Sequence, residues 1–529
     1  MKNDENEILF PPPGRTPRED TAAVMKFYKL AKSFPREVLE EAKKVARDAG
    51  RGAARGGKRL DLRKKFIFTC DPVTARDYDD ALSLEKDLRG NRVLGVHIAD
   101  VSHFVRPGSA LDREAYKRST SVYLATQVVP MLPEELSNGV CSLVPGEDRL
   151  TFSVFMTFDR NGRMVKRTFA KSVINSKARF TYEQVMRILA GGPHKEAKRI
   201  RAINALAQQL RAARFAAGAL DIAIPEAEVL LDGEGEMTGI VTRPYDESHQ
   251  MIEECMVAAN EAVAKELWTN GVKIVARLHE PPDPEKIQLL REEMRGLGVK
   301  VGAIENPKVF AQFLQTIKKN PLYPTLATMV LRSMKRAVYA ASDIGHFGLS
   351  KKFYAHFTSP IRRYPDLTLH RQLADWLVKP ASARRSPALL AKWAEHATER
   401  EEIATEAERG LVEIKKFRLM EAQLASRQIL DYDAVVVKCM PFGCFVEIPE
   451  LAVSGLVHVS LLSRKFVRYN EYDHSLSAPG GGSWRVGDKL KVHVAKVDFR
   501  ERRIDFTPVN NAVGKPRRER TRRKWNSPS

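Results

Sequence analysis

The sequence predicts an α+β protein in which a large mixed region precedes a small five-stranded OB-type β-barrel. Three observations carry that expectation. Between Asp61 and about Val378, strand-like runs (Val93 to Ala99, Leu150 to Phe158, Met164 to Ile174) give way to helical periodicity at Thr181 to Leu189, Glu196 to Gly218, His249 to Thr269 and Pro284 to Gly296. Pro387 to Arg427 is then helical in pattern and heavily charged. From Tyr432 to Phe506, β-branched runs alternate with Gly/Pro turns: Ala434 to Val437, Cys444 to Ile448, Gly455 to Val459, Lys489 to Val497 and Arg503 to Phe506. Five such strands suit a small barrel.

In chain order, residues 1–60 read as an N-terminal extension, flexible around Pro11-Pro12-Pro13, helical in pattern from Thr21 to Asp48, and closing in a Gly/Arg-rich connector from Gly50 to Lys58. Residues 61–385 form the mixed region, 386–430 a helical bridge and 431–510 the barrel. Residues 511–529 read as a disordered basic arm, because Lys515 to Trp525 holds no core-forming run.

With 87 Lys+Arg against 66 Asp+Glu, a formal charge of +21 points to a polyanionic partner, and 43% hydrophobic content over 529 residues is ample for several cores. The five cysteines, Cys70, Cys141, Cys255, Cys439 and Cys444, are odd in number and form no CxxC pair, so neither a disulfide framework nor a zinc site is supported. They read as buried thiols in a reducing compartment. The polar, acidic start carries no apolar segment and no run is long enough to span a bilayer, so the expected location is cytoplasmic, with no membrane partner.

Against this basic background, Asp71, Asp77, Asp79 and Asp80 fall within ten residues. Carboxylates this close repel one another and protonate unless a divalent cation offsets the charge, and a hard metal such as Mg²⁺ is the natural counter-ion. A solvated acidic turn is the plainer reading, but strand-like Lys65 to Thr69 and Ala81 to Leu84 on either side fix the cluster at a sheet edge. A calcium EF-hand is excluded, since counting from Asp77 the sixth position is Leu82 and the twelfth Leu88. Further on, Arg362 and Arg363 sit beside a proline-fixed turn at a helix start, a placement that suits phosphate recognition and equally suits ordinary ion pairing. Tyr182 and the pair Glu253-Glu254 are ambiguous by themselves. In the barrel, Phe442 and Phe445 flank a glycine turn near His458, Lys438, Arg464 and Lys465, a composition suited to stacking single-stranded bases. Phe445 equally suits the barrel core; Phe442, in the turn, is the better stacker. His97 and His103 read as structural.

Taken together, Asp71-x5-Asp77-x-Asp79-Asp80, Val96 to His103, Pro130-Met131-Leu132-Pro133 and His356 to Tyr364, followed by the barrel, resemble the ribonuclease II/ribonuclease R (RNB) family of 3′ to 5′ exoribonucleases. The likeness runs from about Phe34 to Pro508, and the basic tail brings it closest to the ribonuclease R branch. It implies an RNB-type catalytic domain, a C-terminal OB fold of the ribosomal S-one type, and processive hydrolysis of RNA to nucleoside 5′-monophosphates. It also implies a two-metal Mg²⁺ site, with Mn²⁺ as a substitute, held by Asp71, Asp77, Asp79 and Asp80, of which Asp79 is the most critical. Arg362 is implied as the essential phosphate contact, Tyr123 as the clamp on the terminal base that sets the last product's size, and Tyr182 and Glu253 as contacts to the ribose 2′-hydroxyl. Arg363, Phe442, Phe445 and His458 complete the expected RNA-binding set. Ile222 stands where some relatives stack a phenylalanine, and Met1 to Gly57 is too short and too helical for the two cold-shock domains with which relatives usually begin.

The expected partner is RNA, single-stranded or with a 3′ overhang, met by a monomer. Two rival classes remain: a catalytically inactive RNA-binding regulator, disfavoured by the intact aspartates and Arg362, and a two-metal DNA exonuclease, disfavoured by Tyr182 and Glu253. No P-loop, HExxH or Gly-x-Ser-x-Gly motif occurs, which removes NTP-driven unwinding, zinc peptidase and serine hydrolase readings.

Overall fold

The computed structural model describes residues 10–52, 59–222, 227–242, 244–302, 304–342, 345–426, 429–480 and 482–509. Nine strands build the first half: β1 (Leu60–Asp61), β2 (Phe68–Cys70), β3 (Asp80–Lys86), β4 (Arg92–Ala99), β5 (Val122–Leu124), β6 (Gln127–Val129), β7 (Asp148–Phe158), β8 (Met164–Asn175) and β9 (Ala178–Phe180). All but the β5–β6 hairpin join one sheet in the order β1-β8-β7-β4-β3-β2-β9. Its inner strands are antiparallel, whereas β1 pairs with β8 and β2 with β9 in parallel at the edges.

Strand alternation gives the sheet two unlike faces. Leu82, Leu94, Val96, Ile98, Phe152, Val154 and Met156 pack against helices Tyr182–Leu189, Ala197–Ala216 and Glu247–Thr269. Within the sheet His97 bonds Ser83 (2.9 Å) and Ser153 (2.7 Å), a buried hydroxyl ladder that gives this histidine a structural role. Ala81, Ala99, Leu150 and Ile174 belong to a second core with Leu132, Leu136, Ile361 and Leu367. The two cores meet the chain where β2 ends and β3 begins.

A 39-residue helix, Pro387–Ala425, follows, capped by Ser386 and opened by Pro387. It sends Phe417 and Met420 into the barrel core and Ala404, Ala407, Leu411 and Ile414 into a cluster with the β5–β6 hairpin. The barrel closes from five strands, Tyr432–Met440, Gly443–Ile448, Val453–His458, Lys489–Asp498 and Arg503–Pro508. Gly455 is required there, since a Cβ would lie 2.4 Å from the Phe506 ring.

Three features depart from the sequence reading. The helical pattern from Thr21 to Asp48 is broken into Asp20–Phe27 and Arg36–Gly52, because Lys29 adopts a left-handed φ of 53° and Pro35 bars its predecessor from the helix. A three-stranded sheet, Arg468–Asn470, Ser475–Ala478 and Gly482–Trp484, is inserted between the third and fourth barrel strands. Helices Pro307–Ile317 and Tyr323–Ser333 carry a further core that sequence periodicity did not mark. The basic arm from Lys515 to Trp525 lies outside the described residues, as do residues 53–58 of the connector.

Candidate active site

The loop from Asp71 to Asp79 is tied down at both ends. Asp71 N donates to Phe180 O of β9 (3.1 Å), and Asp79 O accepts from Ala99 N of β4 (2.9 Å). Between them Tyr78 N donates to Ser142 Oγ (3.0 Å), and that hydroxyl donates to Arg76 O (2.8 Å). Asp80 then enters β3 opposite Ile98. Asp71, Asp79 and Asp80 are thus set by backbone pairing, and Asp77 is carried between the two residues that Ser142 ties down.

A second segment, far away in sequence, closes over the first. Ile361 N donates to Asp79 Oδ1 at 3.0 Å, and Arg362 Nε stands 4.0 Å from Asp79 Oδ2. The Arg362 side chain is 42% exposed while that of Asp79 is 7% exposed, so the guanidinium lies over the mouth of the cluster. Arg363, expected as an RNA contact, is the N-cap residue of helix Tyr364–Val378, and its fork grips Asp366 through Nε (2.9 Å) and Nη2 (2.7 Å). Adjacent arginines alternate in direction, which spacing alone does not reveal.

Burial pushes the carboxyl pKa of Asp71, Asp77, Asp79 and Asp80 upward, and repulsion from neighbouring aspartates adds to it at Asp71, Asp79 and Asp80. Arg362 opposes the rise at Asp77, Asp79 and Asp80 without cancelling it. The buried Asp71 Oδ2 meets no donor in good hydrogen-bond geometry, although the Thr69 hydroxyl beside it lowers its pKa in part. An orphaned carboxylate oxygen within a like-charged group fits a divalent cation. Among the described residues, no three His, Cys, Asp or Glu side chains close on one point as a ready-made cage.

Three aromatic or acidic positions surround this cluster. Tyr123 projects from β5, 42% exposed, with its hydroxyl toward Asp77 and its amide donating to Glu408 of the long helix (2.7 Å). The hairpin is stitched to the arginine segment, since Ser121 N donates to Arg362 O (3.0 Å). Tyr182 stacks on His249 with ring centroids 3.9 Å apart, and the charges of Asp71, Asp80 and Arg362 act on its hydroxyl. Glu253 lies one turn beyond His249 on the same helix face, so Tyr182 and Glu253 are brought together through that histidine. Glu253 accepts from Arg214 (3.1 Å) and from the Tyr245 hydroxyl, while Arg214 also holds the buried Glu254. His249, Arg214, Tyr245 and Glu408 were missed in the sequence; the four-residue step from His249 to Glu253 was the available signal.

The barrel residues form a separate corner. Phe442 is 44% exposed and meets the half-buried Phe445 edge to face at 6.1 Å. Exposed His458 pairs across the strands with Gly443, and Lys438 with Phe445, so the aromatic and basic groups share one patch. Ile222 instead packs against the core of Phe310 and Phe313.

Comparisons with known proteins fall into the same two parts. A model of the RNB domain matches residues 59–379, and one of the S1 RNA binding domain matches 431–507. The chain is 43% identical over 490 residues to a ribonuclease R of Thermotoga maritima, covering 90% of this chain and 68% of that relative. It also resembles the structure of Mycoplasma genitalium RNase R in complex with ribose methylated single-stranded RNA, with a TM-score of 0.84 and 29% identity over 94% of this chain and 78% of that one. The complex of the same protein with double-stranded RNA gives a TM-score of 0.80 at 28% identity, over 94% and 84%.

Proposed function

The chain belongs to the RNB family of 3′ to 5′ exoribonucleases, and we propose that it degrades RNA processively with Mg²⁺, releasing nucleoside 5′-monophosphates. RNA hydrolysis, RNA binding and dependence on a metal follow from the family; the identity of the cation and the role of each residue are the proposal. The observation that carries it is the union of a buried carboxylate cluster with one half-exposed arginine, joined through Ile361 N and Asp79. An inactive RNA-binding regulator would have no use for four mutually repelling buried aspartates.

Asp71, Asp77, Asp79 and Asp80 would hold the cations. Divalent metal bound there would supply a water of lowered pKa and offset charge on the leaving 3′-oxygen. Arg362, planar and permanently charged, takes the non-bridging oxygens of the scissile phosphate. Tyr123 abuts the terminal base and limits how short an oligonucleotide is still held in register. Tyr182 and Glu253 address the 2′-hydroxyl, the group present only on RNA. Phe442, Phe445 and His458 grip the strand upstream by stacking.

A duplex with a 3′ overhang is within the proposed substrate range, supported by the basic run Lys515 to Lys524 in the sequence, which suits sequence-independent phosphate contacts. The proposed form is a monomer, and five buried free thiols suit the cytoplasm. No helix among the described residues is long and apolar enough to cross a membrane.

The test is digestion of 5′-end-labelled single-stranded RNA with Mg²⁺, with and without chelator. Conversion of full-length RNA to a short 5′-labelled limit product with few intermediates, stopped by chelation, is the expected result. Internal fragments, or equal cleavage of DNA, would overturn the reading.

A further inference from the structure

Residues 10–33 lie ahead of the matched domain, yet they brace the hairpin that carries Tyr123. Strand alternation turns Val122 and Leu124 to the rear of β5 while Tyr123 faces forward. Behind them, Val24, Met25 and Leu30 pack with Val122, Leu124 and Val129 and with Ala404, Ala407, Leu411 and Ile414 of the long helix. Two polar links reach the hairpin's turn: Thr21 and Thr126 share a hydroxyl hydrogen bond of 2.8 Å, and Gln127 Nε2 donates to Met25 Sδ at 2.9 Å.

What fixes this strap is Asp20. Its carboxylate, fully buried, accepts from Gly14 N (2.9 Å), Lys415 Nζ (3.0 Å) and Arg418 Nη2 (3.1 Å). Lys415 is fully buried as well and also donates to Pro17 O, again on the strap. Pro11 fits against Gly410, where a Cβ would come within 2.8 Å of its ring, and Arg502 of the barrel covers the Phe10 ring at 4.4 Å. Glu408 and Lys415 are two helical turns apart on one face of the long helix, so a single face holds both the Tyr123 amide and the strap.

We propose that Asp20, acting through Lys415 and the strap helix, is a positioning residue for Tyr123 that sets where digestion of the RNA ends. This rests on the reading of Tyr123 as the group against the terminal base. Tyr123 is held from the front by the arginine segment and Glu408 and from the rear by the strap. Loosening the rear support leaves Asp77, Asp79 and Arg362 in place and lets the tyrosine shift, so long RNA is still cut while short RNA loses its register.

The full chain is compared with its Thr21→Val, Asp20→Asn and Tyr123→Ala variants on a homopolymeric 30-mer and on oligonucleotides near the final product length. T21V removes a single link to the hairpin and keeps the ion pair, so it remains informative if D20N fails to fold. Losing one net hydrogen bond's worth of positioning raises KM for the shortest substrates about three- to tenfold, with kcat on long RNA within about twofold. The final products spread over several lengths. A strap that merely stabilised the fold would lower the active fraction equally for every length. Unchanged final products in T21V, and in D20N where it folds, with altered products in Y123A, would overturn the inference alone. An unaltered final length in Y123A would remove the reading of Tyr123 and the inference with it.

Discussion

Around Asp79 the side chains proposed to act on RNA are fixed before substrate arrives, whereas at the barrel corner around Phe442 they stand in solvent. Asp79 is held by Ile361 N at 3.0 Å and faced by Arg362, inside two cores. Phe442 is 44% exposed and touches Phe445 at its edge. The difference teaches where the work is divided. A displacement at phosphorus needs charges already in place, because reorganising them during reaction forfeits the stabilisation. Holding a strand that must slide needs faces that accept any base, and stacking asks for no fixed partner.

The sharpest way to break that division is Asp79→Asn. The amide oxygen still accepts from Ile361 N, so the segment stays closed, while a metal-facing charge is lost. Turnover should fall about 10³-fold or more, with the RNA Kd held within about threefold or tightened, since removing a negative charge cannot weaken phosphate binding directly. Single-turnover cleavage beside filter binding decides it; a variant that keeps near-normal turnover takes Asp79 out of the chemistry.

A smaller effect is expected from the Tyr182→Ala, Glu253→Ala double variant, which lies beside the fixed cluster but addresses the sugar. Losing two contacts of about 0.5–1.5 kcal/mol each should narrow the RNA-over-DNA ratio of cleavage by about 5- to 150-fold. Equal losses on RNA and DNA would assign both residues to the fold.

Much of the candidate cluster was legible because its aspartates fall within ten residues and are flanked by strand-like runs, so the sequence itself places them between the end of β2 and the start of β3. The barrel was legible through its alternation and turns. What stayed hidden depends on contacts distant in sequence. Arg362 and Arg363 are indistinguishable as letters, and only Asp366 and Asp79 decide which one faces the site. Helix Pro307–Ile317 carried a readable start, Asn306 accepting from Lys308 N at 2.9 Å ahead of Pro307, but its periodicity was not followed. The strap's role needed Lys415, nearly four hundred residues from Asp20 in the chain, to be seen at 3.0 Å from it.

On the solvent side of the comparison, Phe442→Ala should raise the Kd for single-stranded RNA about tenfold, the lower part of the 1–3 kcal/mol of one base stack. Saturating kcat should not move, and the salt slope of binding should stay the same, because no phosphate contact is removed. A fall in kcat at saturating RNA would mean that the corner positions substrate for chemistry, and the division drawn above would fail.

The smallest effect tests whether the fixed cluster carries a cost that the corner lacks. Burial raises the pKa of Asp80, with repulsion from Asp71 adding to it. The folded, metal-free chain therefore holds a proton there more tightly than the unfolded chain. That contribution to stability is complete below the ordinary carboxylate range and is lost as pH rises through the raised value. Asp80→Asn removes the titration, so with chelator present it should raise Tm at pH 8 on the order of 2 °C, and by less at pH 5, where the wild-type carboxyl is already protonated. Comparing each variant with wild type at the same pH cancels the buried histidines, whose lowered pKa values act in the opposite sense. Adding Mg²⁺ at pH 8 should then stabilise the wild type more than D80N, because cation binding and the lost repulsion draw on the same carboxylates. Phe442→Ala, measured alongside, should show neither the pH dependence nor the change in Mg²⁺ response. If D80N gains as much at pH 5 as at pH 8, its carboxylate is not the group that burial disfavours, and the cluster's cost must sit on Asp71, Asp77 or Asp79 instead.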